Sequence, residues 1–296
     1  MSIPNIIIGG KTTMAIDGAV AVRAAADARG WNGSIGIVPN LGDVGEDSWQ
    51  PSFRKFGSAT PGFQLFELDD VYALENLVFF SLEFDRIFRV DRSSSNNLFN
   101  IHFSLLPAYK GVSTSTWPII EGRSESGVTL HQIDQGIDTG PIICQVKFTI
   151  GAGDTGADLY RKYISHGTEL FVSMVDRLLD GDFEASPQPA AGSTYRSRSD
   201  LDYSTPIQNW RSTAFELHNR IRAFTFPEYQ NVSFDGLMIT SSRIDSALSS
   251  GKAGSVVAVG HGRRTIATID YDLILLGIES GPNELVVSPA KLSGDQ

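Results

Sequence analysis

Short apolar runs closed by glycine or proline recur through the first half of the chain. Asn5–Gly10 (N-I-I-I-G-G) reads as a buried strand, a β-branched run ending in glycines. Residues 15–28 are alanine-rich with helical spacing and stop near Gly30. A second strand at 34–39 completes a βαβ unit. Residues 41–61, polar with Gly and Asp, read mostly as loop. Leu77–Leu82 and 98–102 are further apolar strands, 127–133 and 142–148 extend the sheet, and 157–179 carries helical periodicity. Strands and helices alternating in this way predict an α/β fold with an open, Rossmann-like, mainly parallel sheet.

The pattern changes after residues 181–192 (G-D-F-E-A-S-P-Q-P-A-A-G), where proline and small residues mark a connection. Residues 212–224 form an amphipathic helix with Ala214, Leu217, Ile221 and Phe224 on one apolar stripe, ended by Pro227. Short β-rich segments follow at 231–234, 237–244, 254–260, 265–269 and 273–278, as in a small barrel or curled sheet. The tail from Gly281 is polar and reads as partly disordered. The expected organisation is 1–190 as the main domain, 191–230 as a connecting segment with a helix, and 231–296 as a small β-rich domain.

A chain of 296 residues allows this large-plus-small arrangement. Its single cysteine, Cys144, excludes an intrachain disulfide and any cysteine-based zinc site. No apolar run reaches membrane-spanning length, and the start of the chain lacks a basic segment followed by an apolar one, which predicts a cytoplasmic protein with no membrane partner. The net charge of −10 and pI near 4.9 argue against a nucleic-acid partner, because such binding draws on phosphate neutralisation by a basic face. A small phosphorylated substrate fits better, with Arg196, Arg198, Arg220 and Arg222 as cations able to hold one or two phosphates.

Candidate chemistry gathers between Asn100 and Gln145. Asn100 and His102 alternate on a strand end, so their side chains share a face. Pro107 and Gly111 then turn the chain, and ligand sites of parallel sheets form where strands end in such loops. Asp138 lies further on in Q-G-I-D-T-G-P, where flanking glycines permit backbone shapes closed to other residues. An amide, an imidazole and a carboxylate are the groups needed to move an acyl group onto an amine without a covalent enzyme intermediate. Gly9-Gly10-Lys11-Thr12 lacks the spacing of a phosphate-binding glycine loop and reads as a tight turn. The histidines (His102, His131, His166, His218, His261) show no H-E-x-x-H pairing, so no metal is expected. No G-x-S-x-G elbow is present.

The strings N-x-H-x-S-L-L-P and G-x-D-T-G-P resemble those of the N10-formyltetrahydrofolate-dependent formyltransferases, over roughly residues 77–171. Phe103 stands where that family often has proline, and Ser115-Thr116 occupy a spot often holding proline or alanine. The string R-A-F-T-F-P-E-Y-Q from Arg222 to Gln230 is similar to a motif of the sugar N-formyltransferases, which act on dTDP-linked amino-dideoxysugars. The later strands also resemble a small β domain appended to some formyltransferases.

The resemblance implies Asn100, His102 and Asp138 as catalytic residues and N10-formyltetrahydrofolate as co-substrate. Phe84, Asp85, Arg86, Ile87, Ile133, Gly136 and Ile137 would line the folate pocket. Acceptor contacts would come from Tyr109, Lys110, Tyr195, Arg198, Asn219, Arg222, Phe226, Tyr229 and Gln230, with the Phe226 and Tyr229 rings offered to a pyrimidine and the Arg222 fork to a pyrophosphate. The implied activity is formylation of a nucleotide-linked, dTDP-type 3- or 4-amino sugar for a surface polysaccharide such as the O-antigen of lipopolysaccharide, by a homodimer. Methionyl-tRNA formyltransferase, formyltetrahydrofolate hydrolase and a folate-binding regulatory module are the alternatives.

Overall fold

The computed structural model describes residues 4–279. The polar tail expected from Gly281 lies outside the described residues.

The first half follows the apolar runs closely: β1 (Asn5–Gly10), α1 (Thr12–Ala28), β2 (Ile35–Pro39), α2 (Phe53–Ala59), β3 (Phe63–Leu65), α3 (Leu68–Val71), β4 (Leu77–Leu82) and β5 (Asn97–His102). Then come β6 (Lys110–Gly111), α4 (Trp117–Ile120), β7 (Glu125–Gln132), β8 (Ile142–Thr149) and α5 (Gly156–Asp180). Seven strands form one sheet in the order β3-β2-β1-β4-β5-β7-β8. It is parallel from β3 to β5, and β7 and β8 add antiparallel.

Alternation along the central strands divides the core by sheet face. Ile6, Ile8, Val78, Phe80, Leu82, Phe99 and Ile101 belong to a large cluster that includes α1 and α5, whereas Ile7, Leu77, Phe79 and Leu98 belong to a smaller one with Tyr72 and Phe88. This is the period-2 pattern of a strand buried on both sides. The register pairs Gly10 with Leu82 and Leu82 with Ile101, so β1, β4 and β5 end level with one another. Their following loops therefore leave from one edge, and the strand order reverses between β1 and β4, the position where open α/β sheets bind ligands.

Residues 41–61 are mostly loop, as the sequence suggests, but they also carry the short helix α2. Ser52 caps α2, its Oγ accepting from the Lys55 N–H at 3.0 Å and donating to Asp43 Oδ1 at 2.5 Å. Asp43 Oδ2 accepts the Arg54 N–H at 2.8 Å, and Phe53 is buried. A seven-residue helix containing Gly57 has little periodicity of its own; its cap and one buried ring stabilise it.

Beyond α5 the chain adds β9 (Tyr195–Arg196), which pairs in parallel with β6, then α6 (Ala214–Phe224). Thr213 and Glu216 form a reciprocal cap at the start of α6. The expected stripe of Ala214, Leu217, Ile221 and Phe224 is buried throughout. Strands β10 (Ser233–Phe234), β11 (Leu237–Leu248), β12 (Val256–Gly260), β13 (Arg263–Ala267) and β14 (Tyr271–Glu279) form an antiparallel sheet ordered β10-β11-β14-β13-β12. Leu217, Ile221, Ile239, Leu273 and Leu275 join the same large cluster as β1 and β4, so this sheet shares a core with the first one through α6. No helix among the described residues is long and apolar enough to cross a membrane.

Candidate active site

The end of β5 presents Asn100 and His102 on one face, and the loop between β7 and β8 brings Asp138 against both. His102 Nδ1 lies 3.4 Å from Asp138 Oδ1, and Asn100 Nδ2 lies 3.5 Å from the same oxygen. Residues 36 positions apart in the sequence thus converge within hydrogen-bonding reach. The other Asp138 oxygen, Oδ2, accepts the Gly111 N–H at 2.8 Å.

The hydrogen bonds fix the tautomers. His102 Nε2 stands 2.8 Å from the Tyr109 carbonyl oxygen, which can only accept, so Nε2 carries the hydrogen and donates. Nδ1 is then the basic atom, and it faces Asp138. His131, directly across from Asn100 in the β5–β7 register, has Nδ1 2.7 Å from the Gln132 carbonyl and therefore accepts at Nε2 from Asn100 Nδ2, at 3.0 Å. Turning the Asn100 amide over would set its oxygen against an unprotonated ring nitrogen and a carboxylate.

Burial lowers the His102 pKa below the ordinary histidine value, outweighing the nearby Asp138 charge, which raises it. Burial alone would raise the Asp138 pKa; the His102 ring and the Gly111 N–H outweigh it and hold the carboxyl down to about 2. The pair rests as neutral imidazole beside ionised carboxylate at neutral pH.

The flanking glycines do not supply the unusual backbone of this loop. Asp138 itself has a φ of +54°. Gly136 and Gly140 are needed for close approach: a Cβ at Gly140 would sit 1.8 Å from the Gln132 carbonyl oxygen, and one at Gly136 would sit 2.1 Å from Thr139 Oγ1.

The expected folate residues fall on two loops that share the smaller core cluster through Phe84 and Ile133. Asp85 Oδ2 accepts the Leu41 N–H at 2.9 Å and Arg86 Nη2 donates to the Pro39 carbonyl at 2.7 Å, so this pair fastens the loop after β4 to the loop after β2. The Arg86 guanidinium also covers the Phe84 ring at 4.7 Å. Ile133 is tied to Leu98 by a backbone bond of 2.8 Å. Ile87 and Ile137 are exposed, 65% and 40%, and give these loops apolar surface able to take a flat heterocycle.

The expected acceptor residues separate into distinct places. Tyr109, Lys110 and Tyr195 lie on β6, β9 and their approach, next to the trio. The Tyr109 hydroxyl donates to Glu121 Oε2 at 2.5 Å, and burial with that carboxylate pushes its pKa up to about 12. Lys110 Nζ donates to Ser193 Oγ at 3.1 Å. Arg198 is exposed on a short 3-10 turn.

Phe226, Tyr229 and Gln230 form a tight turn closed by backbone bonds between Phe226 and Gln230. Here the Phe226, Tyr229 and Tyr160 rings meet Trp49, from the stretch read as loop. Trp49 and Tyr229 stand edge to face at 5.2 Å and 88°.

Asn219 and Arg222 point elsewhere. Both are buried; Arg222 donates from Nε to Asn219 Oδ1 at 3.0 Å and from Nη1 to the Asp154 carbonyl at 2.8 Å. These two nitrogens join α6 to the start of α5.

Lys11 and Glu83 form a further polar centre at the β1–β4 edge. Lys11 Nζ lies 3.2 Å from Glu83 Oε1, which also accepts from the Tyr160 hydroxyl, while Thr12 Oγ1 donates to Glu83 Oε2 at 3.1 Å. The tight turn at Gly9–Thr12 therefore supplies a cation to this centre. His131, Trp49 and Tyr160 are among the residues that sequence reasoning does not single out. An antiparallel pairing of 127–133 with 98–102 would have placed His131 opposite Asn100. Among the described residues no group of His, Cys, Asp and Glu is arranged to hold a metal ion.

A formyl transferase family model matches residues 89–175, and a formyl transferase C-terminal domain model matches 205–285. The N-formyltransferase from Helicobacter canadensis, solved with folinic acid and dTDP-3-aminofucose, is 37% identical, with a TM-score of 0.83 over 93% of this chain and 99% of that one. WlaRD, a sugar 3N-formyl transferase solved in the presence of dTDP and 5-N-formyl-THF, is 36% identical, with a TM-score of 0.83 over 96% of this chain and 100% of that one. Methionyl-tRNA formyltransferase of Myxococcus xanthus is 31% identical over 185 residues, 61% of this chain and 57% of the relative. The chain spans somewhat over half the length of the curated relatives it matches.

Proposed function

We propose, since this chain belongs to the formyltransferase family, that it moves the formyl group of N10-formyltetrahydrofolate onto the amine of a nucleotide-linked amino-dideoxysugar. The observation that carries the substrate class is the match along nearly the whole chain, both sheets included, to two enzymes solved with dTDP or a dTDP-sugar. The methionyl-tRNA enzymes match over about three fifths of it, and a net charge of −10 suits a nucleotide better than a tRNA. A formylated sugar of this kind would serve surface polysaccharide synthesis, made by a homodimer in the cytoplasm.

In the transfer, the amine nitrogen bonds to the formyl carbon, the carbonyl oxygen takes negative charge, and the bond from that carbon to N10 breaks. Asn100 donates to the oxygen. Its first amide hydrogen is committed to His131 and its second makes only the long 3.5 Å contact with Asp138, so the second is the one available. Such a donor lowers the barrier by roughly 3 kcal/mol.

His102 Nδ1 is unprotonated at neutral pH and takes the proton that the amine loses. Asp138, ionised at 3.4 Å, stabilises the imidazolium formed at that moment and guides its proton towards the leaving N10. The loops carrying Phe84 to Ile87 and Ile133 to Ile137 hold the pterin.

The test is incubation of the purified protein with N10-formyltetrahydrofolate and, separately, dTDP-linked 3-amino and 4-amino sugars, methionyl-tRNA and no acceptor, with products read by mass spectrometry. A formylated dTDP-sugar supports the proposal. Formylation of methionyl-tRNA alone, or formate release without acceptor, rejects it for the corresponding alternative.

A further inference from the structure

The stretch from Ser186 to Arg196 lies between the two family-model matches and is fastened to both loops of the trio. At its near end Ser186 exchanges backbone bonds with Ile142, each 2.8 Å. Gln188 Nε2 then donates to the carbonyl oxygens of Asp138 and Gly140, each 2.8 Å. At the far end the Thr194 N–H donates to the Pro107 carbonyl at 3.2 Å, and the Thr194 carbonyl accepts the Lys110 N–H at 3.0 Å. Thr194 Oγ1 accepts the Tyr109 N–H at 2.7 Å, and the Arg196 carbonyl accepts the Val112 N–H at 3.0 Å.

Two of the residues gripped in this way have unusual backbones. Asp138 has a φ of +54° and Tyr109 a φ of +56°, the left-handed region that non-glycine residues enter only when their surroundings hold them there. Each sits at a decisive place. Asp138 bears the carboxylate, and the Tyr109 carbonyl sets the tautomer of His102. Gln188 reaches the first and Thr194 the second.

The Gln188 amide has one workable orientation, since the reverse would oppose its oxygen to two carbonyls. That orientation leaves Gln188 Oε1 buried without a partner.

We infer that Gln188 and Thr194 are positioning residues for the transfer, a strap that holds the Asp138 carboxylate and the Tyr109 carbonyl in register with His102. The inference rests on the formyl-transfer reading of the same site. Misplacement of a reacting group by about 1 Å costs up to about a hundredfold in rate, so loosening either end lowers kcat by about 10- to 100-fold.

The experiment compares full-length wild type with Gln188→Met, Thr194→Val and Thr194→Ser. It measures kcat and KM for both substrates, the pH profile of kcat, and hydrogen–deuterium exchange in residues 107–112 and 136–141. Gln188→Met and Thr194→Val are expected to lose kcat with an unchanged KM for the formyl donor, and both loops are expected to exchange faster. Thr194→Ser, which keeps the hydroxyl, restores the rate. The titratable groups facing His102 are Asp138 and His131. A displaced Asp138 no longer favours the protonated ring, so the acid limb of Gln188→Met moves to lower pH.

Wild-type kcat and acid limb in both variants would overturn the strap, as would a loss in Thr194→Val that serine does not repair. If wild type transfers formyl to no amine, the functional reading fails; unchanged exchange in both loops then overturns the strap independently.

Discussion

Asn100 and His131 face each other across β5 and β7, and the Asn100 amide donates to the His131 ring at 3.0 Å. Because the other ring nitrogen is committed to the Gln132 carbonyl, His131 accepts here and the amide cannot turn over. The Asn100 amide, the proposed oxyanion donor, is therefore aimed by a histidine outside the Asn100, His102, Asp138 trio.

Replacing that histidine tests the arrangement. His131→Leu removes the acceptor and leaves a buried amide hydrogen unpaired, at about 1–3 kcal/mol of stability. It also frees the amide, and kcat should fall by about tenfold or more. His131→Gln, which keeps an acceptor, should recover part of both. Chemical denaturation and initial rates check this, and a leucine variant with wild-type kcat would mean that the ring does not orient Asn100.

The pH dependence follows from the His102 environment. A base works deprotonated, and burial lowers this one below the ordinary value of 6.5. The rate should thus persist below that pH and fall only as pH drops through the lowered value. Asp138→Asn removes the charge that favours the protonated ring, so its acid limb should lie lower still while kcat declines. A wild-type acid limb at or above 6.5 contradicts this.

Phe226 and Tyr229 should separate cleanly. Phe226 is 7% exposed and packs on Tyr160 and Trp49, so Phe226→Ala should cost about 3 kcal/mol in unfolding free energy. Tyr229 is 36% exposed at the rim of the same cluster, beside Trp49 and Phe226. Tyr229→Ala should cost only about 1 kcal/mol, for its contacts with Trp49 and Phe226, and weaken dTDP binding by about 3- to 10-fold, the worth of a stacking contact. Calorimetric titration of dTDP decides, and equal affinity in wild type and Tyr229→Ala would remove that ring from the base site.

Lys11 and Glu83 give a stability prediction. Burial raises the Glu83 pKa above its ordinary 4.5, and Lys11 is the main group opposing that rise. Lys11 itself titrates above its ordinary 10.5: burial lowers its pKa, but Glu83 and neighbouring groups raise it by more. A raised folded-state carboxyl contributes stability below its unfolded pKa that is lost as pH rises through the folded one. Lys11→Met lets Glu83 rise further, so the deficit against wild type should be small near pH 4.5 and grow towards about 2 kcal/mol by about pH 8, between the values for exposed and buried pairs. Denaturation at both pH values measures it, and a deficit independent of pH would contradict the coupling.

How far these residues could be read from the sequence depends on what holds them. β1, β4 and β5 are apolar runs buried on both faces, and the stripe on α6 is local periodicity, so composition along the chain reveals them. α2 depends on Asp43 reaching Ser52 and Arg54, a contact that no local pattern announces. His131 was hidden because its role comes from antiparallel register with β5. The setting of Arg222 is hidden for the same kind of reason: its motif marks a helix end, and only packing shows that end facing the Asp154 carbonyl. The Asp138 loop was recognisable from its glycines, but they serve close approach, while the positive φ falls on the aspartate.

Single-turnover formyl transfer by His102→Ala, measured beside folate binding to the same variant, tests the central claim most directly. The account predicts that transfer falls by a factor on the order of a hundred or more, as expected for loss of a positioned base, while folate binds as in wild type. Unchanged turnover would contradict it.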